Sequence, residues 1–171
     1  IPVSYLRLVS RKESPMYLCW GARNRLALIR IPLWWDFKKN EEGMDSCKRT
    51  FEYRAPDPSA NTHLLFAGIA IAAQYGLANA KESLQTAEEL HLERVAKRKT
   101  GLKPLPQSCN ESAACLRKDR EYYEADEVFP ETVIDGTIKK LESYNDDGLV
   151  QKLRNQPRKS EKLMQKYLHY G

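Results

Sequence analysis

The chain has 171 residues, with 28 Lys+Arg against 23 Asp+Glu and a formal net charge of +5 at pH 7. At 42% hydrophobic and 30% charged residues it has ordinary globular composition, which excludes a disordered chain, a collagen-like chain and a small disulfide scaffold. Eight glycines are too few for an all-β sandwich built on many tight turns. The sequence opens Ile-Pro-Val, without a Met or a signal pattern, and is expected either to have had its front removed or to be a piece of something longer.

The longest apolar run, Leu64 to Ala73, is ten residues; a membrane span needs roughly 20, so no membrane partner is expected. Four cysteines (Cys19, Cys47, Cys109, Cys115) form no C-x-x-C, and His63, His91 and His169 are far apart. Neither a disulfide framework nor a local zinc site is indicated, and reduced thiols in a cytoplasmic protein are expected.

Strand signals dominate up to about residue 80. Met16 to Trp20 and Leu26 to Pro32 (LALIRIP) are apolar and β-branched, and the GARNR turn between them, with Gly21 and Asn24, predicts an antiparallel pair. Residues 36–48 are polar and aperiodic, a loop. Arg49 to Ala55 (RTFEYRA) alternates Thr50, Glu52 and Arg54 against Phe51 and Tyr53, a third strand. The turn PDPSAN follows, and Ser59 or Asn61 is positioned to cap a helix running to about Gly76. That helix is apolar on nearly every face and is expected to be buried all round.

Beyond residue 80 the pattern is helical and more polar. The predicted helices are Glu82–Lys99, closed by Gly101, Pro104 and Pro106; one starting at Ser108 with Ala113, Ala114, Leu116, Tyr122 and Tyr123 as apolar positions; one starting at Pro130 with Val133, Ile134, Ile138 and Leu141; and Leu149–Tyr167, interrupted by Pro157. The fold class expected is α+β, a small antiparallel sheet with a mainly helical C-terminal half. Two basic clusters, Arg94 to Lys103 and Lys152 to Lys166, contain interspersed acids and lack base-stacking aromatics. They read as solvated helix faces in preference to a nucleic-acid footprint, so no nucleic-acid partner is expected.

The first 60 residues carry the chemistry. Arg7, Arg23, Arg25, Arg30 and Arg54 sit in or beside predicted strands, with Glu13 and Glu52 among them. Long charged side chains on a half-buried face are costly unless paired. Arginines converging on carboxylates suit either a structural ion-pair network or a site in which guanidinium forks hold oxyanions and a carboxylate holds a divalent metal. No Walker A or G-x-G-x-x-G motif is present, which argues against a P-loop or Rossmann site.

SYLRLVSRKESP at 4–15, ARNRLALIRIP at 22–32 and FEYRAPDPSAN at 51–61, in this order and approximate spacing, together resemble the C-terminal part of the glutamine synthetase catalytic domain. LPQSCNESAACLRKDREYY (105–123) and VFPETVID (128–135) are similar to the later helical region of that family, and the likeness fades near residue 145. The resemblance implies that 1–171 is a C-terminal part of such a domain, with active-site strands and a buried helix in 1–80 and a helical region in 81–171. Its sheet would belong to a larger barrel-like one, leaving an edge open and favouring self-association. It implies an ATP-dependent glutamate–ammonia ligase working through γ-glutamyl phosphate, with ATP and Mg2+ (or Mn2+) as cofactors. Partners would be glutamate, ammonia and further copies of the chain, in a dodecamer of stacked hexameric rings.

Residue by residue, the resemblance makes Arg7 the holder of glutamate's carboxylate and Glu13 the flap glutamate that binds ammonium and takes its proton. Arg25 would lie near the phosphoryl group, Arg30 on the nucleotide, Glu52 on the metal, and Arg54 on the substrate side. Departures are Ser10-Arg11-Lys12 in the flap where Pro-Gly and an aromatic are usual, Thr50 in place of an Arg, Thr62-His63 where Pro-Tyr is usual, and Lys103 at a position that is an adenylylated Tyr in some members. His63 is open to two readings, lining the site or packing a helix start. The family's other metal-binding glutamates precede the matched region, and the 171-residue chain by itself is expected to be inactive. Two alternatives remain: a γ-glutamyl ligase for a larger amine such as a polyamine, and a non-catalytic relative.

Overall fold

The computed structural model describes residues 1–9, 14–32, 50–92, 101–153 and 156–167. Among them are eight α-helices and a three-stranded sheet, an α+β chain as expected. The chain divides into two compact units, one formed by residues 1–10, 57–80 and 106–171, the other by 11–56 and 81–105.

The first unit is helical. α1 (Pro2–Val9) begins with Pro at its first position, where the missing N–H costs nothing. This helix stands where strand signals were read, and so places Arg7 on a helix. Pro2, Tyr5 and Leu6 follow the i, i+3, i+4 spacing, but eight residues are too few to distinguish that period from a strand's. The hydroxyls of Tyr5 and Ser112 share a hydrogen bond at 2.7 Å, and burial pushes the Tyr5 phenol up to about 12. α2 (Thr62–Ala78) is capped by Asn61, whose Oδ1 accepts from the backbone of His63 and Leu64 at 3.0 and 3.2 Å.

α4 (Cys109–Lys118) starts at the expected cap, Ser108, whose Oγ accepts from Glu111 N at 3.0 Å, while Glu111 Oε2 accepts from Gln107 N at 2.8 Å. The buried Asp146 adds its carboxylate at this helix start, accepting from Cys109 N at 2.9 Å and Asn110 N at 3.4 Å, where the helix dipole favours an anion. The apolar series read as one helix is two: the axis breaks at Asp119, and α5 (Arg120–Glu124) carries Tyr122 and Tyr123. α6 (Glu131–Ser143) follows Pro130 as predicted, and α7 (Leu149–Leu153) and α8 (Pro157–Lys166) divide before Pro157.

The core of this unit is Ala113 from α4 with Phe129, Ile134 and Ile138; Ala67, Ile71, Leu116, Tyr123, Val133 and Leu141 pack around it. Each large aliphatic side chain so buried contributes about 1.5–3 kcal/mol. Arg120 ties α5 to α6. Its guanidinium forks onto Glu124 at 2.6–3.2 Å and reaches Asp135 at 3.2 Å and Glu131 at 3.6 Å, and its hydrogen bonds hold the Glu124 carboxyl below the usual carboxylate range.

α2 departs from expectation. None of its residues is buried, and Phe66 and Leu77 are 67% and 82% exposed. A helix apolar on every face needs cover on every face. Here the core touches one stripe, at Ala67 and Ile71.

The second unit holds β1 (Trp20–Ala22), β2 (Ile29–Ile31), β3 (Glu52–Tyr53) and nearly all of α3 (Ala80–Leu90). β2 and β3 are antiparallel, with Arg30 opposite Glu52, but β1 runs parallel to β2, with Trp20 opposite Ile29. The sheet is therefore mixed, and its strands are shorter than the apolar runs that predicted them. The six residues between β1 and β2 reverse direction twice, beginning at Arg23, whose φ is 58°. Within this loop the buried Asn24 accepts from Leu26 N through Oδ1 at 3.0 Å and from Ala27 N through its carbonyl at 3.3 Å.

α3 ends at Leu90 because the chain turns to the sheet. His91 bridges Trp20, and Leu92 N donates to Trp20 O at 2.8 Å. The Trp20 indole donates to Ala87 O at 2.6 Å, and its ring lies 4.5 Å from that of His91. Cys19, Ala27 and Leu92 form the small core, with Leu102 against it. A Cβ on Gly21 would stand 2.5 Å from Leu92 O, so this close approach requires glycine. The outer edge of β3 pairs with no strand among the described residues.

Cys19, Cys109 and Cys115 are free thiols, and Cys47 lies outside the described residues. Lys152, Arg158, Lys159, Lys162 and Lys166 are exposed, as expected of a solvated helix face. No described helix is long and apolar enough to cross a membrane.

Candidate active site

Of the six residues singled out in the sequence, four described ones, Arg25, Arg30, Glu52 and Arg54, lie in the second unit. Register brings Arg30 on β2 opposite Glu52 on β3, and Arg30 Nη2 donates to Glu52 Oε1. The pair is partly solvated, with side chains 25% and 42% exposed. Arg30 Nε is buried without an acceptor among the described residues. A guanidinium that spends one arm on a carboxylate and keeps a buried N–H available is arranged to receive an anionic oxygen.

Arg54 extends the β3 pairing, its backbone N–H donating to Leu28 O at 2.9 Å. Its guanidinium reaches across to the β1–β2 loop, where Nη1 donates to Arg25 O and to Ala27 O, the latter at 3.3 Å. Arg54 thereby fixes the backbone from which the exposed Arg25 side chain projects. The buried Asn24 fixes the same loop from within. Its turn propensity was legible, its structural part in the site was not.

The period-two alternation at 50–54 puts Glu52 and Arg54 to work on successive positions of one strand face, while Phe51 and Tyr53 are exposed at 60% and 42%. Arg7 lies on α1 in the first unit, and its side chain is outside the described residues. Glu13 and the flap residues Ser10-Arg11-Lys12 are outside them too, as is the 33–48 loop. His63 occupies the first turn of α2 and is exposed, and Lys103 is exposed with its carbonyl accepting from Leu18 N at 2.8 Å.

A magnesium ion wants near-octahedral oxygen coordination, with protein carboxylates supplemented by water and substrate phosphates. Among the described residues no three His, Cys, Asp or Glu side chains converge on a point, and Glu52 is already engaged by Arg30. These residues do not by themselves fit a metal centre. They fit an anion better, since Arg30 keeps a buried donor N–H.

Comparison with known proteins places the sequence in a defined class. The sequence profile described as the glutamine synthetase catalytic domain matches residues 2–148. The chain belongs to the glutamine synthetase catalytic-domain family. It is 35% identical over 143 residues to a glutamine synthetase of Pyrococcus abyssi, covering 82% of this chain and 30% of that protein. Glutamine synthetases of Pyrococcus horikoshii and Sulfolobus acidocaldarius are 38% and 37% identical over 124 and 121 residues, covering 71% and 70% of this chain and 26% and 24% of their own lengths. The chain thus spans less than a third of each of these relatives.

Proposed function

We propose that the chain supplies the arginine–glutamate side of the active site of an ATP-dependent glutamate–ammonia ligase. The reading is supported above all by Arg30 and Glu52, two residues of separate family motifs paired in register across β2 and β3. In the reaction a γ-carboxylate oxygen of glutamate attacks the γ-phosphorus of ATP and ADP leaves. Ammonia then attacks the acyl carbon, the carbon–oxygen bond to phosphate breaks, and the ammonium nitrogen loses a proton. Both steps gather negative charge on phosphoryl oxygens, and preorganised guanidinium donors are the side chains suited to it.

On this proposal Arg30 contacts the nucleotide, Arg25 the transferring phosphoryl group and Arg54 the substrate side, while Arg7 holds glutamate's carboxylate and Glu13 accepts the ammonium proton. Glu52 has its first role here in orienting Arg30; any metal site would need carboxylates beyond those described. The chain accordingly acts as part of a larger active site, in the homo-oligomer expected of the family, and is inactive by itself.

The test is a chimera. Residues 2–148 replace the matching segment of the Pyrococcus abyssi relative, and ATP-dependent product formation from glutamate is measured with ammonia and with putrescine. Glutamine formation by the chimera, lost in Arg30→Gln, is expected, with no turnover by the 171-residue chain alone. A folded, assembled chimera that makes no glutamine, or that prefers putrescine, overturns the assignment.

A further inference from the structure

The peptide that follows Arg25 is held at both ends by side chains. Its N–H, on Leu26, donates to Asn24 Oδ1 at 3.0 Å, and its carbonyl, Arg25 O, accepts from Arg54 Nη1. Two further bonds extend the hold. Arg54 Nη1 donates to Ala27 O at 3.3 Å, and Ala27 N donates to Asn24 O at 3.3 Å. A peptide group is planar, so fixing both of its polar ends fixes the Arg25 Cα that lies in the same plane.

Burial separates Asn24 from the residue it serves. Asn24 is 6% exposed and Ala27 is fully buried, whereas Arg25 between them stands exposed. A long exposed side chain loses entropy when it is aimed, and the backbone it stands on is the part that the fold can set beforehand. Asn24 reaches this place beside Gly21: a Cβ at 21 would lie 3.2 Å from Asn24 Cβ. Arg54 holds the carbonyl end from the third strand, so both ends of the peptide are set from outside Arg25 itself.

We propose that Asn24 is a positioning residue for Arg25: through the Leu26 N–H it sets the peptide from which the Arg25 guanidinium is aimed at the transferring phosphoryl group. The assignment rests on the ligase reading above. Misaim costs most where negative charge has gathered, so Asn24 acts on the transition state more than on bound ATP, whose nucleotide side falls to Arg30 on the same reading.

The experiment uses the chimera carrying residues 2–148, with kcat and the KM for ATP measured for glutamine formation at equal concentrations of folded, assembled enzyme. Asn24→Ala is expected to lower kcat about 10-fold and to change the KM for ATP by less than about 2-fold. Asn24→Ser, whose hydroxyl can accept the same backbone bond without adding a charge, is expected to lose only about 3-fold. In an Arg25→Gln background Asn24→Ala is expected to cost less than about 2-fold more, because its effect runs through that guanidinium. A residue that served stability alone would give neither the split nor the dependence on Arg25. In the 171-residue chain, the Leu26 amide is expected to exchange about 10-fold faster in Asn24→Ala. Full kcat in Asn24→Ala, a change in KM alone, an undiminished effect in the Arg25→Gln background, or unchanged Leu26 exchange would overturn the proposal and leave the ligase reading standing. A folded, assembled parent chimera that makes no glutamine would overturn both.

Discussion

The pairing of Arg30 with Glu52 makes a quantitative demand on the sheet. At an effective dielectric of about 20, unit charges about 4 Å apart attract by about 4 kcal/mol, but desolvation and side-chain ordering offset most of that. With the side chains 25% and 42% exposed, a net coupling of about 1 kcal/mol remains. Single removal costs more, because Arg30 already has one buried N–H without an acceptor, and losing Glu52 strands a second donor. Glu52→Ala is therefore expected to destabilise by about 1–3 kcal/mol. Glu52→Gln, which keeps an acceptor oxygen, should cost about half as much.

The assay is urea unfolding of the 171-residue chain, Glu52→Gln, Arg30→Gln and the double variant, closed as a cycle. Coupling should fall as ionic strength rises, since the pair is partly solvated. A coupling below about 0.3 kcal/mol at low salt would mean that the two charges do not meet, and the proposal that Glu52 orients Arg30 would fall with it. Millimolar Mg2+ should leave all four midpoints unchanged. A stabilisation by Mg2+ that vanishes in Glu52→Gln would refute the claim that these residues do not make a metal centre.

Two glycines should respond with opposite signs to alanine. Gly21→Ala places a Cβ 2.5 Å from Leu92 O and should destabilise by about 1–3 kcal/mol, whereas Gly136→Ala, inside α6 with nothing within 4 Å, should stabilise by about 0.5–1 kcal/mol. Thermal melts decide, and like-signed shifts would contradict the close approach at β1. The alkaline pH dependence has contributions from Cys19, Tyr123, Cys109 and Tyr5, all raised by burial, the last two most strongly. Burial pushes both the Cys109 thiol and the Tyr5 phenol up to about 12, so the unfolded chain releases these protons first. Stability from this source is complete below about pH 8.5 and declines as pH rises toward 12. Tyr5→Phe should flatten the upper part of that decline in urea midpoints, and an unchanged slope would refute the assignment.

What could be read from the sequence was set by contacts between near neighbours. Asn61, Ser108, Pro130 and Pro157 punctuate helices through their own side chains or rings, so a few residues of context suffice, and each falls at a helix start. Alternation through 50–54 likewise placed Glu52 and Arg54 on one strand face before their partners were known. The misread elements depend on distant chain. The helix from residue 80 stops at Leu90 because His91 and Leu92 join Trp20, some seventy residues earlier, and no local breaker announces that. The parallel course of β1 and β2 arises in the same way. A two-residue turn signal suggests a hairpin, but Asn24 folds inward and Arg54 arrives from the third strand to hold the loop open.

α2 completes the same argument from the other direction. Its residues were read as buried because an all-apolar helix has no face suited to water, and that physical premise still stands. The described structure covers one stripe of it, and Phe66 and Leu77 remain largely exposed. Glu52 is in a parallel position, a carboxylate that joins no group of three metal-ligating side chains among the described residues. Both are local sequences whose full explanation requires atoms beyond those described. Relatives more than three times as long as the stretch they share with this chain have the material for both. The chimera therefore makes a joint prediction: the surroundings that let Arg30 and Glu52 work in catalysis should also protect the amides around Phe66 and Leu77 from hydrogen exchange. Catalysis without that protection would separate the two, and would break the proposed link between the cover over α2 and the working of Arg30 and Glu52.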